Sequence, residues 1–526
     1  MDFSLARGFY DSSLRLPCEL ALSVGGEGLS YSRLRELVQP VAGWIRRNSA
    51  EPAPRIGILA SRSLSTYTGI LGTCWAGGTY VPISPKHPED RLIQLLDRVR
   101  AEALIVDAEG ESLLSQRLLS HCPRLILAPE RGASQEIELG TGVSVTIGGK
   151  DALPHFDPQD RPVAVGPDHV VYIIFTSGTT GVPKGVTIPA SATAHFISVM
   201  QGRYALDHSD RIAGMTEITF DISVFDLFVA WSVGASLHVV PHTQLMAPAS
   251  FVRRNECSVI FTVPSVVSGM QRMKMLAAGS LPSLRYSFFA GEPLPVISAS
   301  AWKQAAPNAL VDDLFGPTEA TVVCIGQRFE GPENATPNRG VVAIGKPFPG
   351  MEAAIVDSEL NFLRPGEQGE LLLGGPQLSG GYFGAEEQTR SSFPVLRGKR
   401  WYRTGDLAYC DATGTFHHLG RIDNQVKVRG LRVELEEIEG HLREVYRTDA
   451  VAAVAWPMEH GSANGIVAFV SGQNGREDSE YMEQIKKRLP SYMVPSAIHR
   501  VDSLPMNANG KVNRKQLVTL LQEGNV

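Results

Sequence analysis

A chain of 526 residues corresponds to roughly three to four ordinary domains and can close its core without disulfide or metal staples. Its 49 Lys+Arg stand against 55 Asp+Glu, a net charge of −6, which excludes a nucleic-acid grip built on a basic face and a polybasic route to membranes. With 43% hydrophobic and 20% charged residues, the balance is that of a packed globular protein rather than a disordered one.

The first residues, MDFSLARGFYDSS, lack the apolar core of a signal peptide. Residues 55–59 (RIGIL) and 103–106 (ALIV) predict short buried strands, with a helix over 90–100 between them. Residues 170–176 (VVYIIFT) predict a buried strand running into a Gly/Thr loop. The longest apolar stretch, 227–240, is interrupted by Ser232, Gly234, Ser236 and His238, too soon for a membrane-spanning helix. Strands at 237–240 and 259–263 continue an alternation that predicts α/β layers with parallel sheets. From Ile344 onward, repeated Gly and Pro with short runs such as 370–373 predict a β-rich, barrel-like section. After Gly420 the texture changes again. Residues 425–429 alternate like an exposed strand, and Leu435, Ile438, Leu442 and Val445 fall on one helix face. Strands at 451–455 and 466–470 and a charged amphipathic helix at 478–489 complete a small α+β unit. Six cysteines lie far apart with no C-x-x-C pair, so metal and dithiol readings are weak and a reduced, cytoplasmic protein is expected.

The most informative segment is YIIFTSGTTGVPKGV, residues 172–186. A strand delivers a loop with three glycines, four hydroxyls and one lysine, the composition needed for backbone N–H groups to approach phosphate oxygens closely. It is not a Walker A loop, which closes on G-K-[ST]; here Pro183 precedes Lys184 and Gly185 follows it.

TSGTTGVPKG resembles the signature of the adenylate-forming superfamily, which includes acyl-CoA synthetases, luciferases and the amino-acid-activating domains of nonribosomal peptide synthetases. LGTCWAGGTYVPISPKHP (71–88), FGPTEAT (315–321), GELLLGGPQLSGGY (369–382), YRTGDLA (402–408), GRIDNQVKVRGLRVELEEIE (420–439) and LPMNANGKVNRK (504–515) resemble the family's other motifs in the same order. The resemblance implies a large N-terminal α/β domain, 1–422, and a small mobile C-terminal α+β lid, 423–526, hinged at Asp423. It implies attack of a carboxylate on the ATP α-phosphate, a reaction driven mainly by positioning and electrostatic stabilisation. Carried over residue by residue, ATP would be held by Thr176, Ser177, Gly178, Thr179, Thr180, Gly181 and Lys184 of the loop, with Ala290 and Gly291 beside the adenine. Asp313, Phe315, Gly316 and Thr318 would add adenine and phosphate contacts, and Asp406 and Arg421 would contact the ribose. Asp313 stands where amino-acid-activating members often have Asn; as a carboxylate it would accept from the adenine amine but not donate. Glu319 would hold Mg²⁺, which takes few carboxylates besides phosphate oxygens. Lys511 would bridge the attacking carboxylate and the phosphate, with Thr318, Glu319 and Lys427 as the other catalytic groups. After adenylation, rotation of the small domain would withdraw Lys511 and present residues 425–430 to a thiol, Gly430 allowing close approach of a pantetheine arm.

Phe220–Asp221 resembles the α-amino-acid branch, in which the Asp pairs with the substrate ammonium. The remaining pocket positions fall on Ile222, Phe225, Phe261, Phe288, Ala290, Leu314, Val322 and Val323, an apolar lining that leaves a polar side chain unsatisfied. The Ala290, Leu314, Val322 and Val323 combination resembles prolyl-activating members, including stand-alone prolyl-carrier-protein ligases. The expected substrate is L-proline, with valine, isoleucine or another small apolar or cyclic amino acid as alternatives. Because QLVTLLQEGNV after Lys515 contains no pantetheine-bearing serine segment, the expected acceptor is phosphopantetheine on a separate peptidyl carrier protein, with the enzyme a monomer or weak homo-oligomer. An acyl- or aryl-CoA ligase, which Asp221 disfavours, and a non-catalytic nucleotide-binding homologue are the competing classes.

Overall fold

The computed structural model describes residues 3–140, 142–177, 183–459, 462–471, 478–506 and 512–524. Gly178, Thr179, Thr180, Gly181 and Lys511 lie outside the described residues. Two nine-stranded sheets form the large part of the molecule. In the first, Leu310–Phe315, Tyr286–Phe289, Val259–Thr262, Arg211–Gly214, Ser236–Val239 and Leu20–Val24 run parallel side by side. In the second, Val170–Thr176, Thr79–Ile83, Arg55–Leu59, Ala103–Val106 and Leu125–Leu127 run parallel, and Lys184–Pro189 turns back antiparallel to Val170–Thr176. Leu64–Trp75 is buried at all but its first position, because it packs between layers rather than on a surface. Its Ile70 and Leu71 join one core with Ile58 and Tyr172 of one sheet and Phe261 and Phe288 of the other.

The expected barrel-like section is a five-stranded antiparallel sheet built from Glu352–Val356, Gly369–Gly374, Val395–Leu396, Lys399–Cys410 and Phe416–Arg421. The C-terminal unit has its own core around Val433, Ile438, Leu442, Tyr446, Ala468 and Ile485, under a four-stranded and a three-stranded sheet. Element boundaries shift by one to three residues from expectation. The helix expected at 478–489 ends at Lys486, close to Pro490, since the residue before a proline avoids the helical region. The 227–240 stretch divides into a π-helical turn, Phe225–Val229, a helical turn, Ala230–Val233, and the strand Ser236–Val239.

One expectation is corrected. The strand at 425–428 is not exposed: Gln425 and Val428 are 5% and 2% accessible, Val428 because it packs into the small unit's own core and Gln425 because it is bonded to buried Glu434, while Gly430 at the tip of this hairpin meets Val263 of the large unit. Alternation marks which residues share a face, not what covers it. Among the described residues no helix is long and apolar enough to cross a membrane, and all six cysteines are unpaired.

Candidate active site

The parallel strands place the chemistry-bearing residues at their carboxyl ends, where an open α/β sheet leaves a crevice. Thr216 to Asp221 follow Arg211–Gly214, Ala290 and Gly291 follow Tyr286–Phe289, and Gly316 to Glu319 follow Leu310–Phe315. From the other sheet, Thr176 pairs directly with Lys184 across the base of the Gly/Thr loop. Lys184 is buried and its ammonium stands 5.7 Å from the centre of the Tyr382 ring. Burial lowers its pKa, against the pull of Glu434 and Glu319.

The turn after Phe315 is tightly held. A Cβ on Gly316 would come within 2.5 Å of the Val323 Cα, so the backbone passes where no side chain fits. Thr321 and Val322 both have positive φ, 56° and 67°, which is costly for β-branched residues and persists only under outside constraint. Gln377, fully buried, supplies that constraint. Its side-chain amide donates to the carbonyls of Ala320, Thr321 and Val323 at 3.3, 3.2 and 2.9 Å, and its backbone carbonyl accepts from the Thr321 hydroxyl at 2.7 Å. Val322 and Val323, two of the expected pocket positions, are thereby fixed in place. The motif GGPQLSGGY contains Gln377, but nothing in its spacing announces this partner.

The expected pocket residues converge. Phe225, Phe261 and Phe288 are fully buried and meet edge to face, with centroids 5.4, 5.4 and 5.7 Å apart. Ile222, Ala290, Leu314, Val322 and Val323 are also buried. Phe225 opens the π-helical turn, a feature that recurs at functional sites. Asp221 stands just before this helix, but its side chain makes no capping hydrogen bond. Burial raises its carboxyl to about 6, while the Thr318 hydroxyl and the Lys427 ammonium favour its charged form. Tyr80 and Tyr172 are fully buried near the same carboxylate, and their hydroxyls have no hydrogen-bond partner among the described residues. The lining is therefore less uniformly apolar at the Asp221 end than the expected positions suggest.

Asp406 lies at the other side of the crevice. His418 and Arg421 each place a nitrogen 3.1 Å from one of its oxygens. Burial opposes its charge, yet these two neighbours outweigh that and hold its carboxyl at about 2. Arg421 also pairs with Asp423, linking the expected hinge to this cluster. Phe315 sits over the same corner, 6.1 Å from the His418 ring. Asp313 shares the Phe315 face of its strand. Burial and the neighbouring Asp312 push its carboxyl well above the usual range.

The small unit contributes directly. Arg432 places one guanidinium nitrogen 3.1 and 3.0 Å from the two oxygens of fully buried Glu319, which also accepts from the Tyr382 hydroxyl at 2.8 Å. Burial disfavours the Glu319 charge, but Arg432 and Tyr382 bring its carboxyl below the usual range. The Ser177 hydroxyl donates to the Arg432 carbonyl at 3.0 Å. Lys427 feels both Asp221 and Asp406; burial and Arg432 together lower its ammonium to about 8. Among the described residues no group of three or more His, Cys, Asp or Glu side chains is arranged to hold a metal. Glu319 alone suits a Mg²⁺ that takes most of its ligands from phosphates, and its present cationic partner shows that the position favours positive charge.

This arrangement has close counterparts. A family model described as AMP-binding enzyme matches residues 10–383, and its C-terminal companion matches 437–511. The AMB antimetabolite synthetase AmbB of Pseudomonas aeruginosa is 32% identical over 512 residues, 97% of this chain but 38% of AmbB. The chain thus spans well under half of that relative. Zwittermicin A synthase ZmaJ of Bacillus cereus is 30% identical across 99% of this chain and 95% of its own length. The crystal structure of the Vibrio cholerae adenylation domain AlmE in complex with glycyl-adenosine-5'-phosphate superposes with a TM-score of 0.88 at 30% identity, covering 99% of this chain and 98% of AlmE. With its ordered motifs, two-part fold and matching relatives, the chain belongs to the AMP-binding enzyme family of the adenylate-forming superfamily.

Proposed function

We propose that this enzyme is an amino-acid–carrier-protein ligase that activates L-proline with ATP and passes it to phosphopantetheine. The observation that carries the reading is the Asp221 carboxylate, raised by burial to about 6, together with three interlocking phenylalanine rings, Phe225, Phe261 and Phe288, at the expected pocket positions. A secondary ammonium still donates twice to Asp221, and a compact apolar ring needs nothing from the rings beyond contact. Valine or isoleucine would fit the same chemistry with a different shape.

In the first step the proline carboxylate oxygen attacks the ATP α-phosphorus, forming prolyl-AMP and releasing pyrophosphate. Lys184 and the loop hydroxyls hold phosphate oxygens, Asp406 and Arg421 the ribose, and Asp313 and Phe315 the base, beside Ala290 and Gly291. Mg²⁺ bound at Glu319 would neutralise charge on the departing pyrophosphate. Lys511 stabilises the developing charge between carboxylate and phosphate. In the second step the pantetheine thiolate attacks the acyl carbonyl and AMP leaves. The small domain, proposed to begin at the 422/423 boundary, brings Lys427 and Gly430 to the crevice for this step. The orientation described above suits it, because Arg432 occupies Glu319 and so excludes the metal.

ATP–pyrophosphate exchange across the twenty amino acids, pipecolate and a few aryl and fatty acids tests the reading. A dominant proline signal is expected. A response to another apolar amino acid would replace the substrate and keep the mechanism, whereas a response only to acids without an amino group would overturn the role of Asp221.

Asp221 also sets a pH dependence. With its carboxyl raised to about 6, it loses charge as the pH falls below that value, while the proline ammonium stays protonated. The KM for proline should be flat above about pH 7 and rise toward tenfold per unit below about pH 6. A KM that stays flat down to pH 5 would show that the carboxylate does not carry recognition.

A further inference from the structure

Arg62 reaches from one nine-stranded sheet to the other. It follows the strand Arg55–Leu59 of the second sheet, yet its guanidinium ends against the first, where the chain leaves Arg211–Gly214. One terminal nitrogen donates to the carbonyls of Met215 and Thr216 at 3.2 and 3.0 Å, and the other donates to the carbonyl of Gly214. Carbonyls point alternately to the two sides of an extended strand, so three successive ones meet a single group only because the chain curls after Gly214. The Nε of Arg62 is buried and has no hydrogen-bond partner among the described residues. Both arms of the planar fork are thus committed to this stretch of backbone, a geometry that a compact ammonium does not reproduce.

Asp226 closes the same corner from the other end. It sits in the π-helical turn Phe225–Val229, is 3% exposed, and accepts from the Thr216 N–H at 3.4 Å. Burial raises its carboxyl to about 8, against the pull of Arg62 and of the Thr216 and Met215 N–H groups. Between these anchors, Glu217 pairs at 2.8 Å with Lys86, which follows the strand Thr79–Ile83 of the second sheet. The Phe220 carbonyl accepts from the Ser223 hydroxyl at 2.6 Å. Asp221 lies inside this loop and is fixed through its neighbours, while its own side chain makes no capping hydrogen bond.

We infer that Arg62 is a positioning residue for amino-acid recognition, pinning the start of the 214–226 loop so that the Asp221 carboxylate stands in place before the substrate arrives. The role rests on the reading given above, in which Asp221 meets the substrate ammonium. An ion pair with a ligand is strong where the protein group is already held, because ordering a loop at the moment of binding offsets the attraction. Without Arg62 the loop samples other arrangements, and apparent affinity for the amino acid falls by the fraction that stays competent. Once the amino acid is bound the loop is ordered again, so the loss falls on KM rather than kcat. The groups proposed to hold ATP lie on other segments. The strand itself should survive the change, because the Gly214 carbonyl also accepts from the Val240 N–H at 3.1 Å and Arg211–Gly214 stays in register with Ser236–Val239.

The test is steady-state pyrophosphate exchange with the amino acid that the wild type activates. In Arg62→Met, the KM for that amino acid should rise at least about tenfold, while kcat and the KM for ATP stay within about twofold of wild type. Arg62→Lys, which keeps a cationic donor at the site, should fall between the two. In an Asp221→Asn background, Arg62→Met should lower kcat/KM by less than about twofold, because the group being positioned is gone. Parallel losses in kcat and in both KM values, or a loss undiminished in the Asp221→Asn background, would mark Arg62 as a plain staple between the sheets and remove the positioning role. An unchanged KM for the amino acid would remove it as well. If Arg62→Met does not fold, the same split in Arg62→Lys, smaller and in the same direction, decides. A wild type that exchanges pyrophosphate with no amino acid would overturn the ligase reading and the positioning role together, a result read from the wild type alone.

Discussion

Asp221→Asn is expected to cut proline-dependent adenylation by between about 10² and 10⁴-fold while leaving the protein folded and, at pH 8, more stable than wild type. The loss follows from removing one partner of a desolvated ion pair, worth about 3–5 kcal/mol when the substrate ammonium is left facing an amide. The stability gain follows from the same burial. Raised to about 6 from an ordinary 3.8, the carboxyl holds its proton more tightly folded than unfolded. Above pH 6 the empty pocket must carry an ionised, poorly solvated carboxylate, at a cost of roughly 1–3 kcal/mol. That cost disappears as the pH falls toward 3.8, where both states are protonated. Urea unfolding of the two proteins at pH 8 and pH 4 reads it directly. A variant less stable than wild type at pH 8 would mean that Asp221 is satisfied by neighbours such as Thr318, and is not held ready for a ligand.

The contrast between what sequence displays and what it conceals follows from the range over which each group acts. The Gly/Thr loop, the FGPTEAT turn and the RTGDL carboxylate were legible because each carries its chemistry within a few adjacent residues. The pocket lining was legible as a set of apolar positions, yet only the fold shows that the three phenylalanine rings interlock rather than point away. Arg432, Gln377 and His418 escaped notice for a different reason. Arg432 reaches Glu319 across 113 positions, and Gln377 reaches the Val323 carbonyl across 54. His418 meets Asp406 by cross-strand pairing of Lys399–Cys410 with Phe416–Arg421. Such partnerships leave no periodicity behind. The upward shift of the Asp313 carboxyl is likewise a property of its surroundings, because it comes from burial and from Asp312 beside it. The hairpin at 425–428 was misplaced on the surface because its cover comes from residues distant in sequence, the small unit's own core for Val426 and Val428 and Val263 of the large unit for the Gly430 tip.

The second large effect is expected at Gly430, whose φ is +82° and whose missing Cβ would lie 2.7 Å from the Val263 Cγ1. Gly430 also brings its carbonyl oxygen within 3.7 Å of where a Cβ on Gly291 would stand, so two chain segments pass each other here without side chains between them. Leucine at 430 would pay about 1–2 kcal/mol for the left-handed backbone and about 1–3 kcal/mol for forcing Val263 aside. The backbone cost falls on the hairpin turn in any orientation, whereas the clash falls on the orientation in which the small domain rests against Val263. Gly430→Leu should therefore slow transfer of the aminoacyl group to pantetheine by about tenfold or more, beyond any effect on pyrophosphate exchange. Relieving the contact provides an internal control. Adding Val263→Ala should recover the selective loss of transfer by removing the clash, while the cost of the strained turn stays in the stability of the protein. Equal slowing of exchange and transfer in Gly430→Leu would show that the substitution disturbs the whole crevice. No slowing of transfer would mean that the thiol reaches the acyl group by a route that does not pass Gly430, and the hairpin would then lose its role in the second step.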